Sequence, residues 1–187
     1  MTGGLALDGA ALILIDVQRG FDDPGWGTRN NEACEANIEA LLSQWRARRR
    51  PVVFVRHDSL EPGSSLAAGT PGNAFKDMIT GEPDLLVTKN VNSAFYGEPD
   101  LHGWLQRSRI HRLVIAGITT NHCCETTARM AGNLGYETFF ALDATHTFQR
   151  RAPSGRTLTA DELAESTATN LDGEFASVVT TRELMAG

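Results

Sequence analysis

Two adjacent cysteines, Cys123 and Cys124, stand in GITTNHCCETTARMAGNLGY, Gly117 to Tyr136, where an apolar run gives way to a small-residue helical pattern. A thiol that loses its proton is a strong nucleophile, and the unpaired N–H groups of a helix's first turn favour that loss. If the helix starts near Asn121, then Cys124, Thr127, Ala128 and Ala131 form a stripe suited to packing on a sheet. Cys123 then lies about 100° away from Cys124, within the first turn. Phase separates the pair only weakly, because Thr127, Met130 and Leu134 would give Cys123 a face of its own. By spacing alone, Cys123 is either a nucleophile or a buried inert cysteine.

A cysteine nucleophile needs a base. His122 is poorly placed, since successive helical side chains diverge, and it reads as a surface or rim residue. Asp16 ends the apolar run of ALILIDVQ. An acid at the end of a central strand is costly to bury alone, so it is a paired structural group or a functional one. Lys89 closes LLVTKN in the same way. For each, the plain alternative is a solvated strand end. A thiol–imidazole couple of Cys123 with His146 is a competing arrangement.

What positions these residues is a repeated alternation of apolar runs and helical patterns. Runs at residues 11–17, 52–55, 85–87, 113–118, 138–142 and 177–179 lack polar alternation, as strands buried on both faces do. Between them, NEACEANIEALLSQWRARRR sets Cys34, Ile38, Leu41, Leu42 and Trp45 on one face, and later helices are predicted over 100–108, 121–134 and 160–170. The alternation predicts a three-layer α/β/α, Rossmann-like fold of about six mainly parallel strands in the order 3-2-1-4-5-6, forming one domain over residues 1–187. In that order the ends of strands one and four flank the topological switch point. Asp16 and Cys123 would then face one crevice, with Lys89 reaching in from strand three. Irregular segments at 58–83 and 144–159, rich in Gly, Pro and Ser, leave the same edge and are candidate walls or lids. By position along it, Phe21, Trp26, Phe95 and His146 are candidate substrate-binding residues.

Composition narrows the classes. The 187 residues are 41% hydrophobic and 21% charged, as expected for one globular domain. Seventeen basic against 23 acidic residues leave a formal charge of −6, and the one dense basic run, RARRR, closes a predicted helix, so no nucleic-acid partner is expected. The N-terminal region lacks a basic segment, and its short apolar run is cut by Asp16, so neither a signal peptide nor a membrane span is expected and the protein is placed in the cytoplasm. Three cysteines, two of them adjacent, make no disulfide framework. A thiol redox sensor or interaction module built on Cys123 and Cys124 is a reading of another class, weakened because adjacent helical cysteines point apart.

With LILIDVQRGF, KNVNSAF and GITTNHCCETTARMAGNLGYE in this order, followed by LDAT and GEFASVVTT, the chain resembles the isochorismatase-like cysteine hydrolases, which include nicotinamidases and N-carbamoylsarcosine amidase. The third stretch follows that family's G-x-x-T-x-x-C-x-x-x-T-A pattern. The resemblance implies a catalytic triad of Asp16, Lys89 and Cys123, and leaves Cys124 at a packing position. It further implies a cis peptide between Ile118 and Thr119, an oxyanion hole of the Thr119 and Cys123 N–H groups, and a homo-oligomer, a dimer or tetramer. The implied activity is hydrolysis of a C–N bond in a small amide, ureido or lactam compound through a thioester; vinyl-ether hydrolysis of the isochorismatase type is the alternative. One departure bears on cofactors. Metal-binding nicotinamidases carry D-x-H after the second strand, whereas this chain reads VFVRHDS, with Arg56 in place of a ligand. No metal and no other cofactor is therefore expected, and His57 is a pocket-wall or structural residue.

Overall fold

The computed structural model describes residues 5–187; residues 1–4 of the domain expected over 1–187 lie outside it. In chain order the elements are β1 (Ala11–Ile15), α1 (Cys34–Ala47), β2 (Val52–His57), β3 (Leu85–Lys89), α2 (Leu101–Arg107), β4 (Arg112–Ile118), α3 (Glu125–Asn133), β5 (Glu137–His146), β6 (Arg150–Arg151), β7 (Thr157–Leu158), α4 (Ala160–Leu171), β8 (Ser177–Val179) and α5 (Thr181–Ala186). Six strands form one parallel sheet in the order β3-β2-β1-β4-β5-β8. This is the expected order, the sixth sheet strand being β8. The remaining two, β6 and β7, pair as a small antiparallel hairpin.

Strand alternation divides the core into two halves. Leu12 and Leu14 face α1 and α5, with Ile38, Leu41, Trp45 and Leu184. Ala11, Ile13 and Ile15 face α2, α3 and α4, with Leu105, Ala128, Ala131 and Leu171. The predicted face of α1 is the buried one, and the Trp45 indole N–H donates to the Ala10 carbonyl at 2.9 Å. Each large side chain so buried contributes about 1.5–3 kcal/mol. Gly117, at φ +136°, lets β4 pass β1: a Cβ there would come within 2.0 Å of the Ile15 carbonyl oxygen. Among the described residues, no helix is long and apolar enough to cross a membrane.

Several boundaries differ from the sequence reading, all at the carboxyl edge. β1 stops at Ile15 because Asp16 turns the chain at φ 51°. β2 continues two residues further than its apolar run, through Arg56 and His57, which pair with Thr88 and Lys89 of β3, the strand that ends at Lys89 as read. β5 extends to His146, so the irregular segment begins after it, and holds the β6–β7 hairpin. The helix expected from Asn121 opens with a single π-helical turn, Thr120–Cys124.

Candidate active site

Asp16, Lys89 and Cys123 come together at the carboxyl ends of β1, β3 and β4. The Lys89 Nζ donates to Asp16 Oδ2 at 2.6 Å and to Cys123 Sγ at 3.5 Å. The Asp16 and Lys89 side chains are wholly buried, and the second Asp16 oxygen, Oδ1, has no protein partner. Burial drives the Cys123 pKa well above its ordinary value and the Asp16 carboxylate adds to the rise, against the pull of Lys89. Burial thus opposes the proton loss that a helix start favours, and the thiol calls for a base to take its proton. Burial alone would lower the Lys89 pKa, but Asp16 and the Cys123 sulfur outweigh it and keep the ammonium charged.

Local structure explains the convergence. Leaving β1, the Asp16 N–H donates to the Val55 carbonyl at 2.9 Å and the Asp16 carbonyl accepts from Gln18 N–H at 2.7 Å. The fully buried Gln18 side chain then ties three segments together: its amide donates to the His57 and Asn73 carbonyls, and its oxygen accepts from His57 N–H. His57 and Lys89 are register partners on β2 and β3, which sets the His57 Nδ1 3.1 Å from the Lys89 Nζ. Burial, then the neighbouring ammonium, lowers the His57 pKa, so the ring is neutral at neutral pH. An ammonium only donates, so Nδ1 accepts and the ring proton sits on Nε2.

The Ile118–Thr119 peptide is cis. Beyond it, the N–H groups of His122 and Cys124 both donate to the Thr119 carbonyl, at 3.3 and 3.2 Å. Among the backbone hydrogen bonds made outside helices and strands, neither the Thr119 nor the Cys123 N–H takes part as a donor. Cys124 is buried in the core between the sheet and α3, whereas Cys123 reaches a cavity.

That cavity, about 360 Å³, is lined by Asp16, Cys123, Thr119, His57, Phe21 and Trp26, together with His122, Asn90, Asn92 and part of the loop after β2. Its volume suits a small molecule. Phe21 and Trp26 form an aromatic wall, their rings tilted by 38° with centroids 5.0 Å apart, and Trp26 stacks in turn on Phe148 at 5.6 Å. Two expected wall residues are elsewhere. Phe95 turns away after β3 and stacks on Tyr136 in the core. His146 is buried on the α1 side of the sheet, edge-on to Phe148 and 3.9 Å from Glu35. It does not reach the cavity, so the Cys123–His146 couple is not formed. His122, read from sequence as a rim or surface residue, does line the cavity. Ser59, Leu60, Glu61, Ser64 and Leu66 belong to the 58–83 segment read as a candidate wall, but no sequence signal singled them out, because Gln18 and Asn73 fold that loop through tertiary hydrogen bonds.

One Asp16 oxygen, a His57 ring nitrogen and Cys123 Sγ lie within 4.8 Å of one another, a spacing of the kind that holds metals. Lys89 Nζ is bonded to the same three side chains, at 2.6, 3.1 and 3.5 Å. A second cation there would meet the ammonium charge at short range. The set does not fit a metal ion. Arg56, at the expected ligand position, is held by Asp58 through two hydrogen bonds, at 2.8 and 3.2 Å.

Access separates the three thiols more than charge does. Cys34 and Cys124 have no exposure and Cys123 has 7%. Iodoacetamide should label Cys123 first, but more slowly than an unhindered thiol at pH 7.5, because its proton is held. Peptide mapping that finds Cys124 labelled ahead of Cys123 would contradict the assignment.

A parallel six-stranded sheet with this buried carboxylate, ammonium and thiol at its switch point defines a family of α/β hydrolases. The isochorismatase domain profile matches residues 10–182, and the chain belongs to that family. It is 38% identical over 176 residues to the isochorismatase family protein YrdC of Bacillus subtilis, covering 94% of each chain. It is 32% identical over 184 residues to nicotinamidase 3 of Arabidopsis thaliana, covering 91% of this chain and 84% of that one. A crystal structure described as a hydrolase of the isochorismatase family, from Chromobacterium violaceum, superposes with a TM-score of 0.94 at 39% identity, over 100% of this chain and 97% of that one. The protein is an isochorismatase-family hydrolase.

Proposed function

We propose that this hydrolase cleaves the C–N bond of a small amide, ureido or lactam compound through a thioester on Cys123, with Asp16 and Lys89 completing the catalytic group. The observation that carries the reading is the Lys89 ammonium, wholly buried and hydrogen-bonded to both Asp16 and Cys123, which line the cavity. Asp16, through its free Oδ1, takes the thiol proton as Cys123 Sγ attacks the carbonyl carbon. Lys89 stabilises the sulfur as it becomes negative, which a protonated resting thiol requires. The carbonyl oxygen, now negative, is received by the Thr119 and Cys123 N–H groups; one such donor is worth roughly 3–4 kcal/mol in other hydrolases. As the tetrahedral adduct collapses, Asp16 returns the proton to the departing nitrogen. Water then attacks the thioester, Asp16 takes its proton and passes it to the sulfur, and the acid leaves. Phe21 and Trp26 give the substrate an aromatic wall, and the His57 Nε2–H is a donor on the opposite side of its ring from Lys89. The likeness to a nicotinamidase supports amide chemistry.

The reading is tested by screening small amides, ureido acids and lactams for ammonia or acid release. Because the Lys89 ammonium takes the place a metal would need, activity should be unchanged, within about twofold, after exhaustive chelation. Loss of activity on chelation, restored by one equivalent of a divalent ion, would contradict it.

A further inference from the structure

A second cavity, about 300 Å³, adjoins the first and shares Trp26, Thr119 and His122 with it. Its outer wall is the start of the β6–β7 hairpin, which contributes Gln149, Arg150 and Arg151. No acidic residue lines it, and among the described residues neither arginine forms an ion pair with a carboxylate. In a chain of net charge −6 this is a local concentration of positive charge beside the reacting thiol. One Arg150 nitrogen lies 3.2 and 3.5 Å from the two ring nitrogens of His122, so the guanidinium rests against the ring and does not meet one nitrogen end-on. Most of its N–H fork is left for another partner.

On the reading of the site given above, we propose that the substrate carries a carboxylate at the end remote from its scissile bond, and that Arg150, with Arg151 adding charge, selects it. The reacting carbonyl sits over Cys123 beside Thr119; the chain of the molecule passes His122 along Trp26; the carboxylate meets the guanidinium fork, whose planar donors match its two oxygens. Burial and Arg150 both lower the His122 pKa, so the residue between the two charges is neutral and does not itself attract the anion to the wrong place. Substrate is thereby limited to small amido or ureido acids, and simple uncharged amides are poor substrates.

The test is a matched pair, 4-carbamoylbutanoate and pentanamide, which have the same length and differ in the terminal group, extended to the monoamides one and two methylenes shorter. Wild-type kcat/KM should favour the acid at least tenfold. Arg150→Gln should remove most of that preference, a roughly ten- to hundredfold rise in KM for the acid with little change in kcat, as expected for one charged hydrogen-bond pair. Arg150→Lys should restore part of it and Arg151→Gln should have a smaller effect. An equal fall on both members of the pair would mean that Arg150 only supports the hairpin, and would overturn the proposal, as would a wild type with no preference. If neither compound is hydrolysed, which counts against the amidase reading, calorimetric binding of the same pair to Cys123→Ala decides separately. Tighter binding of the acid, lost on adding Arg150→Gln, upholds the anionic subsite; equal binding overturns it.

Discussion

Replacing Cys123 by alanine is expected to lower amide hydrolysis by about three to six orders of magnitude, the scale lost when one member of a catalytic unit is removed. The substitution takes away a single sulfur at the cavity floor and leaves the Asp16–Lys89 pair intact, so its cost in stability is on the order of 1 kcal/mol. Asp16→Asn should lower activity on the same scale, because a carboxamide still accepts from Lys89 but takes up no thiol proton. The double variant should be scarcely worse than either single one, since the three groups act in one proton transfer. Asp16→Asn, however, leaves the buried Lys89 ammonium without its counter-charge, a loss of about 3–5 kcal/mol of stability. Cys123→Ala is thus the cleaner kinetic probe, and thermal unfolding of both variants separates lost chemistry from lost fold.

That Asp16, Lys89 and Cys123 meet was legible because each interrupts an apolar strand run or opens the helix that follows one, and strand order then brings those ends together. The walls were not. Edge position places a residue near the crevice but leaves open which face of the sheet it takes. In β5 the register against β4 shifts between Ile115 and Gly117, and past that bulge His146 turns to the α1 side, away from the thiol. Phe95 follows β3 but is carried by a short 3-10 turn back onto Tyr136. The strand end at Arg56–His57 was missed because its polar side chains break the apolar run, although the backbone continues the ladder against Thr88 and Lys89. One element had a signal that was not used: α5 begins with a capping box, Thr180 and Glu183 bonding each other's backbone N–H.

His146 has a second consequence, in stability. It is fully buried, neither ring nitrogen has a hydrogen-bond partner, and its pKa is lowered to about 3 by burial and then by Arg29. The folded-state pKa lies below the ordinary value of 6.5, so between those values the unfolded chain binds a proton that the folded chain does not. The stability in question is whole above pH 6.5 and is lost as pH falls, at about 1.4 kcal/mol per unit, or roughly 2 kcal/mol by pH 5. Glu35, lowered to about 2 with Arg29 and Lys76 bonded to it against the effect of its own burial, adds a loss of the same sign below pH 4.5. His57 and His122 shift in the same direction as His146, so a variant is needed to isolate it. Urea unfolding of His146→Leu at pH 7, 6 and 5 should show about 2 kcal/mol less acid destabilisation than the parent. Parallel pH dependences in parent and variant would show that His146 is not the buried neutral base described.

The central claim is that catalysis passes through a covalent bond to Cys123. Rapid quenching during turnover of a confirmed substrate, followed by mass spectrometry of the intact protein and of the Cys123 peptide, measures that bond. An adduct equal in mass to the acyl part of the substrate, on Cys123 and absent from Cys123→Ala, is the predicted result. Substantial turnover by Cys123→Ala, with no adduct on the parent protein, would contradict the thioester and favour acid-catalysed vinyl-ether hydrolysis, which needs only a proton donor such as Asp16 and water.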